Sequence, residues 1–146
     1  MAVHFPIALL MVGFLFELIS FFYKKDFFRQ SAFYLLLSGT IGTVVSYLAG
    51  NAAGQGMEEG TLNKAMELHE QAATIALWLT IITTLVYGII YFLNYRKSWL
   101  RTIAVLLFAG VVGSIARTGY LGGQLVYKHG AGVELTLPDF SNPDEN

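Results

Sequence analysis

The chain has 146 residues, of which 55% are hydrophobic and 13% charged, with a formal net charge of −1 and no cysteine. An ordinary soluble domain is about 25% charged, so a water-soluble globule is excluded. The missing cysteines exclude disulfides, thiolate metal sites, iron–sulfur clusters and covalent c-type haem attachment.

A transmembrane helix needs about 20 mostly apolar residues, and four such runs follow one another. They span 2–23, 31–50, 72–95 and 99–127. The first opens with Pro6 in its first turn, where a missing N–H costs least. It lacks the basic start and cleavage site of a signal peptide, so it is expected to stay in the mature protein. The second ends in Gly50-Asn51-Ala52-Ala53-Gly54-Gln55-Gly56, rich in residues that tolerate unusual backbone angles. Thr61 and Asn63 are alternative caps for the third helix, which begins outside the bilayer with the polar stretch 64–71. Residues 94–98 make a tight turn into the fourth run. Beyond Tyr127, two glycines and two prolines lead into an acidic end. The expected architecture is an all-α, integral membrane four-helix bundle over residues 1–133, followed by an acidic periplasmic tail over 134–146.

Orientation follows from the basic residues. Lys24, Lys25, Arg29, Arg96, Lys97 and Arg101 sit around two short connections, which the positive-inside rule places in the cytoplasm. Glu58, Glu59, Glu67 and Glu70 lie at the opposite end. The tail residues Glu134, Asp139, Asp144 and Glu145 join them there. Both termini are then expected on the periplasmic side of a bacterial inner membrane.

All three histidines fall at that outer end. His4 opens the first run, His69 precedes the third and His129 closes the fourth. At about 1.5 Å per helical residue, His69 lies roughly 40 Å above Arg96 and His129 roughly 42 Å above Arg101. His4 lies about 30 Å above Lys24, a turn or two deeper. His69 and His129 are therefore the preferred axial pair for a haem iron, with His4 nearby; a break at Gly119 or at Gly122-Gly123 would lower His129. Each histidine also has a plainer explanation, as a solvated terminus, a polar helix start or a residue in a turn.

Small residues recur on two helices. Gly39, Gly42, Ser46, Gly50 and Gly54 on the second, and Ala65, Ala72, Ala73 and Ala76 around His69, permit close approach of a backbone or of a flat cofactor. Two ionisable residues lie within apolar runs, an expensive placement that marks function. Glu17 would relay protons to a quinone site, or stay protonated and bond Ser38 or Tyr34. Arg117 would pair with haem propionates in bidentate fashion, or snorkel to the interface. Tyr47, Trp78, Tyr120 and Tyr127 would line a haem or quinone pocket, or anchor the chain at the interface.

The stretches Val3-His4-Phe5-Pro6-Ile7-Ala8-Leu9 and Thr118-Gly119-Tyr120-Leu121-Gly122-Gly123-Gln124-Leu125-Val126-Tyr127-Lys128-His129-Gly130 resemble the two signatures of a bacterial family. It is a family of small four-helix membrane proteins known only as a domain of unknown function. His69-Glu70 stands at the position of its middle histidine, and Glu17 where members tend to carry an acid. Members often have a His-Pro pair just ahead of the first signature. This chain starts too late to include it, a departure that counts against a second metal or haem site. The resemblance implies association with c-type cytochromes and electron transfer on the periplasmic side.

The leading expectation is a membrane b-type cytochrome subunit. It would pass electrons between a quinol pool and a periplasmic c-type cytochrome or partner subunit of the respiratory chain. Haem b would be held by two of His4, His69 and His129, and two imidazole ligands leave no open position for oxygen. The alternatives are a cofactor-free structural or assembly subunit of a larger respiratory complex, and a zinc or copper site on the three histidines with Glu67 or Glu70. A transporter is disfavoured by sparse polar lining and the lack of an inverted repeat. Nothing resembles a hydrolase, a nucleotide site or a nucleic-acid surface.

Overall fold

The computed structural model describes residues 3–23, 25–54, 62–93 and 98–130. They form four helices: α1 (His4–Phe22), α2 (Asp26–Gly54), α3 (Leu62–Phe92) and α4 (Ser98–His129). No strand occurs among the described residues. Each helix is long and apolar enough to cross a membrane, with mean hydropathy of 1.6 to 2.2 over its most apolar stretch. In lipid every backbone polar group must be satisfied within the chain, which such helices achieve. Most large side chains point outward, as a lipid-facing surface requires.

The helices run alternately up and down. Pro6 meets Gly42 and Leu10 meets Gly39 across α1 and α2. Thr40 meets Thr84, and Tyr47 meets Thr74, across α2 and α3. Leu79 meets Gly110, and His69 meets Gly122, across α3 and α4. Arg101 reaches back to Ser20 and so closes α4 onto α1. The helix ends Phe22, Asp26, Phe92 and Ser98 lie at one end, called inner here, and the helix ends His4 and His129 at the other, outer end.

Helices α1 and α2 form the closest hairpin because glycine replaces a side chain at their contact. A Cβ on Gly39 would stand 2.6 Å from Leu10 Cγ, and one on Gly42 would stand 3.0 Å from Pro6 Cβ. Pro6 is tolerated because it falls within the first turn, where backbone N–H groups have no partner in the helix. The core of the bundle is Leu10, Phe33, Leu36, Tyr87, Ala104, Phe108 and Val111. Phe108 receives the edges of Phe14 and Tyr87, with centroids 5.5 and 5.7 Å away. Phe33 stacks on Tyr91 at 4.7 Å.

Helix α2 ends at Gly54, within the glycine-rich stretch 50–56 expected to end it. Helix α4 passes unbroken through Gly119, Gly122 and Gly123. It stops at Gly130, whose φ of +64° is the left-handed conformation of a glycine helix cap. Asn63 lies inside α3 rather than capping it. Thr61, residues 94–97 and the acidic tail over 134–146 lie outside the described residues.

Gly39→Val is expected to force α1 and α2 apart and lower stability by about 1–3 kcal/mol, the usual cost of overpacking. Gly88→Ala, where a Cβ meets nothing within 4 Å, is expected to leave it unchanged. Thermal unfolding of both variants in mild detergent checks the contrast.

Candidate functional site

Two polar loci interrupt the apolar bundle. The outer one is a cavity of about 380 Å³ to which all four helices contribute. Its volume falls within the range of about 300–1,000 Å³ usual for ligand and cofactor pockets. Val3, Pro6 and Ile7 form one wall, Ala73, Ala76 and Ile115 another. The small-residue row of α2 divides in two. Gly39 and Gly42 pack against α1, whereas Ser46 and Gly50 open onto the cavity. The alanines of α3 act likewise: Ala72 and Ala76 are buried, and Ala73 and Ala76 face the space.

His69 is the side chain of most chemical interest there. Its Nδ1 lies 3.1 Å from the carbonyl oxygen of Thr118. A carbonyl only accepts, so Nδ1 carries the proton and donates it. That leaves the Nε2 lone pair free, the arrangement in which a second-shell carbonyl orients a metal-ligating histidine. The ring lies against Gly122, where a Cβ would stand 3.1 Å from its Cε1. Glycine at 122 is thus what makes room for the imidazole between α3 and α4.

The other expected site residues are placed differently. His4 is exposed, one residue from the cavity-lining Val3. His129 closes α4, seven residues beyond the Gly122 that touches His69. At 1.5 Å per residue that is about 10 Å above the level of His69. The expectation that these two come out level is corrected. It assumed that inner ends of equal height fix outer heights, whereas the contact across α3 and α4 sets the register. Arg117 is exposed and does not line the cavity. Of the four aromatic residues expected around a pocket only Tyr47 lines it, while Trp78, Tyr120 and Tyr127 are exposed. The charged side chains that do line it are Glu67 and Glu70. No group of three or more potential metal-ligating His, Cys, Asp or Glu side chains occurs among the described residues.

The inner locus is centred on Glu17, only 1% exposed. Its Oε1 lies 3.5 Å from Nε of Arg101. The same guanidinium donates to Ser20 Oγ at 2.7 Å and sits 4.0 Å above the ring of Phe21. Ser20 in turn donates to the Glu17 carbonyl at 2.6 Å. Tyr87 from α3 and Arg29 from α2 are near enough to feel the Glu17 charge. Glu17 Oε2 and the Tyr87 hydroxyl are buried without a hydrogen-bond partner among the described residues.

The alternative partners expected for Glu17, Ser38 and Tyr34, are both exposed, and the Tyr34 ring lies against Tyr91. Arg101 takes their place. It reads as a loop cation because it follows Arg96 and Lys97, yet it stands on the first turn of α4 and turns inward. Threonines are a further correction, because the interior is more polar than its hydropathy suggests. Thr40, Thr80 and Thr83 are all buried.

Residues 1–135 match the family described as "Predicted membrane protein (DUF2231)". The chain belongs to this family. The match covers all four helices, and the chain is a multi-pass membrane protein. No curated protein and no solved structure matches it.

Arg101→Ala strands the Glu17 carboxylate in the bundle. Breaking a buried pair costs about 3–5 kcal/mol, and about 3 is expected here because the arginine end reaches the surface. Glu17→Gln in the Arg101→Ala background is expected to recover most of that loss. A double-mutant cycle of unfolding free energies in detergent reads the coupling.

Proposed function

We propose that the chain is a membrane electron-transfer subunit that holds a haem b in its outer cavity through His69. The observation that carries this reading is the His69 imidazole, fixed by the Thr118 carbonyl with its Nε2 free in a cavity formed by four helices. Helix bundles build cofactor sites in this way, from side chains on facing helices.

The fit of the residues to the group is good at the metal and weaker at the rim. Ala73, Ala76 and Gly50 leave room for a planar ring, and Val3, Pro6, Ile7 and Ile115 offer apolar walls. His129 or His4 would hold the group together with His69. His129 has the advantage of standing on α4, the helix whose Thr118 and Gly122 hold the His69 ring. His4 has the advantage of level, since its neighbours Val3 and Pro6 line the space. The rim carries Glu67 and Glu70, and Arg117 stands outside it. Glu67 and Glu70 would repel the carboxylate arms of the group. The haem, when bound, supplies reversible one-electron redox chemistry. In the orientation favoured by the basic connections the cavity opens to the periplasm. Electrons would then pass between a quinol pool and a c-type cytochrome or partner subunit. Glu17, at the inner end, is the residue proposed to exchange protons with a quinone.

The carboxylates at the rim favour one second reading, a zinc or copper ion bound by His69 with Glu67 or Glu70. Such a site joins nitrogen and oxygen ligands that suit either metal. A cofactor-free structural subunit is the reading that remains when neither group is found.

The reduced-minus-oxidised visible spectrum of protein purified in mild detergent tests the proposal. A low-spin b-type spectrum is expected, lost in His69→Ala and in one of His4→Ala and His129→Ala. Gly122→Ala is expected to weaken haem retention severalfold, because its methyl group presses on the imidazole. A colourless protein with stoichiometric zinc or copper would move the assignment to the metal site.

A further inference from the structure

A row of hydroxyls joins the two polar loci. Along α3, Tyr87, Thr83 and Thr80 follow one another on the buried face, and Ala76, one turn further, is already cavity wall. The eleven residues from Tyr87 to Ala76 rise about 16 Å. Thr80 and Thr83 are both 0% exposed. Beside them Thr40 of α2 and Thr84 of α3 share a hydrogen bond of 2.6 Å. Thr40 already donates to the Leu36 carbonyl, so Thr84 is the donor in that pair. Thr43 and Ser46 continue the polar line along α2 to the cavity.

Both ends of the row carry buried polar atoms with no partner among the described residues. At the inner end they are Glu17 Oε2 and the Tyr87 hydroxyl, and at the cavity the Ser46 hydroxyl. Leaving a buried polar group unpaired costs about 1–3 kcal/mol, and valine would fill each threonine site with the same shape. That cost falls on Glu17, Tyr87 and Ser46 and not on Thr80 and Thr83, which bond backbone carbonyls. Of these groups the ionisable Glu17 is the kind that marks an ion or proton path inside a membrane.

We propose that the buried hydroxyls of Thr80, Thr83 and Tyr87, with the Thr40–Thr84 pair, carry protons between Glu17 and the outer cavity. Thr80 and Thr83 donate to the carbonyls of Ala76 and Leu79, so each hydroxyl oxygen keeps lone pairs able to accept. Each hop places a proton on a hydroxyl oxygen while that hydroxyl releases its own to the next acceptor. No bond to carbon changes, and the hydroxyl rotates back to reset. Successive hydroxyls on α3 rise about 4.5–6 Å, a gap that one water spans where polar partners flank it. Glu17 is the terminal acceptor, its carboxylate becoming a carboxyl and then releasing the proton. The groups that face it are Arg101 from α4, Arg29 from α2 and Tyr87 from α3. The Arg101 side chain is 37% exposed and so connects the carboxylate to the inner surface. The path stands on the interior hydroxyls and holds whatever the cavity binds.

The test uses the full chain in vesicles of phosphatidylcholine and phosphatidylglycerol with a trapped pH-sensitive dye. Valinomycin and a potassium gradient set the driving potential, and the initial rate of internal pH change is read. Wild-type vesicles are expected to pass protons severalfold faster than protein-free ones. Thr83→Val and Thr80→Val, which keep shape and remove only the hydroxyl, are expected to return the rate to the protein-free value, as is Glu17→Gln. Thr102→Val, which removes an exposed hydroxyl of α4 outside the row, is expected to keep the wild-type rate. If Glu17→Gln does not fold, judged by circular dichroism, the two valine variants decide. A wild-type rate equal to that of empty vesicles, or valine variants that conduct like wild type, would overturn the proposal. The visible spectrum of the same preparation reports on the haem separately, so failure of one reading is told apart from failure of the other.

Discussion

Between helices in a membrane there is no hydrophobic driving force, since lipid tails are as apolar as leucine. What draws helices together there is close packing and the pairing of polar groups. The contact of α1 with α2 is therefore the constraint on which the rest of this molecule depends. Gly39 and Gly42 let Leu10 and Pro6 approach the backbone of α2 closer than any side chain would permit. That hairpin sets the height of Val3, Pro6 and Ile7, which become a wall of the outer cavity. Higher on α2 a Cβ on Gly50 would meet nothing within 4 Å among the described residues, so one run of small residues gives contact below and a cavity above.

The seam between the two hairpins is held by polar groups as much as by packing. At its inner end Arg101 ties α4 to α1 through Glu17 and Ser20. At mid-height the Thr40–Thr84 bond ties α2 to α3, and toward the outer end Tyr47 reaches Thr74. A buried ion pair is weak evidence of stability, because desolvation offsets most of its attraction. Its retention in an otherwise apolar bundle is better explained by what one partner must do. Glu17 keeps an unpaired oxygen in the interior although Arg101 has nitrogen atoms to spare. A purely structural pair would be expected to satisfy both oxygens.

The fold was legible in the sequence because hydropathy and helix length report directly on a membrane span. The interior was less so. Glu17 stood out because an acid in an apolar run is costly, but its partner did not. Arg101 is three residues into α4, and a run of bases at a helix start reads as topology. Only helical register shows that it faces inward. The level of the histidines failed for a related reason. Counting residues from the inner connections treats all helices as starting together, whereas the contact of His69 with Thr118 and Gly122 is what sets α3 against α4. The hydroxyl row was in plain view as Thr80, Thr83, Thr84 and Tyr87, at helical spacing on one helix. Threonine is common enough in apolar helices that its spacing alone carries little weight. Burial is what separates it from surface threonine.

The charge around the outer cavity narrows what the site can take. Glu67 and Glu70 line it together with an imidazole whose Nδ1 proton is held by the Thr118 carbonyl. An anionic ligand would meet repulsion from both carboxylates. A cation, or a neutral ring whose charged arms reach past the rim to water, would not. His69 is suited to either, since an imidazole that donates through Nδ1 can offer an Nε2 lone pair. Arg117, facing outward about a turn below Gly122, cannot neutralise the rim from where it stands. For a haem the carboxylates thus constrain orientation, while for a metal ion they are ligands. The same two residues therefore separate the haem assignment from the metal one, and His69 serves both.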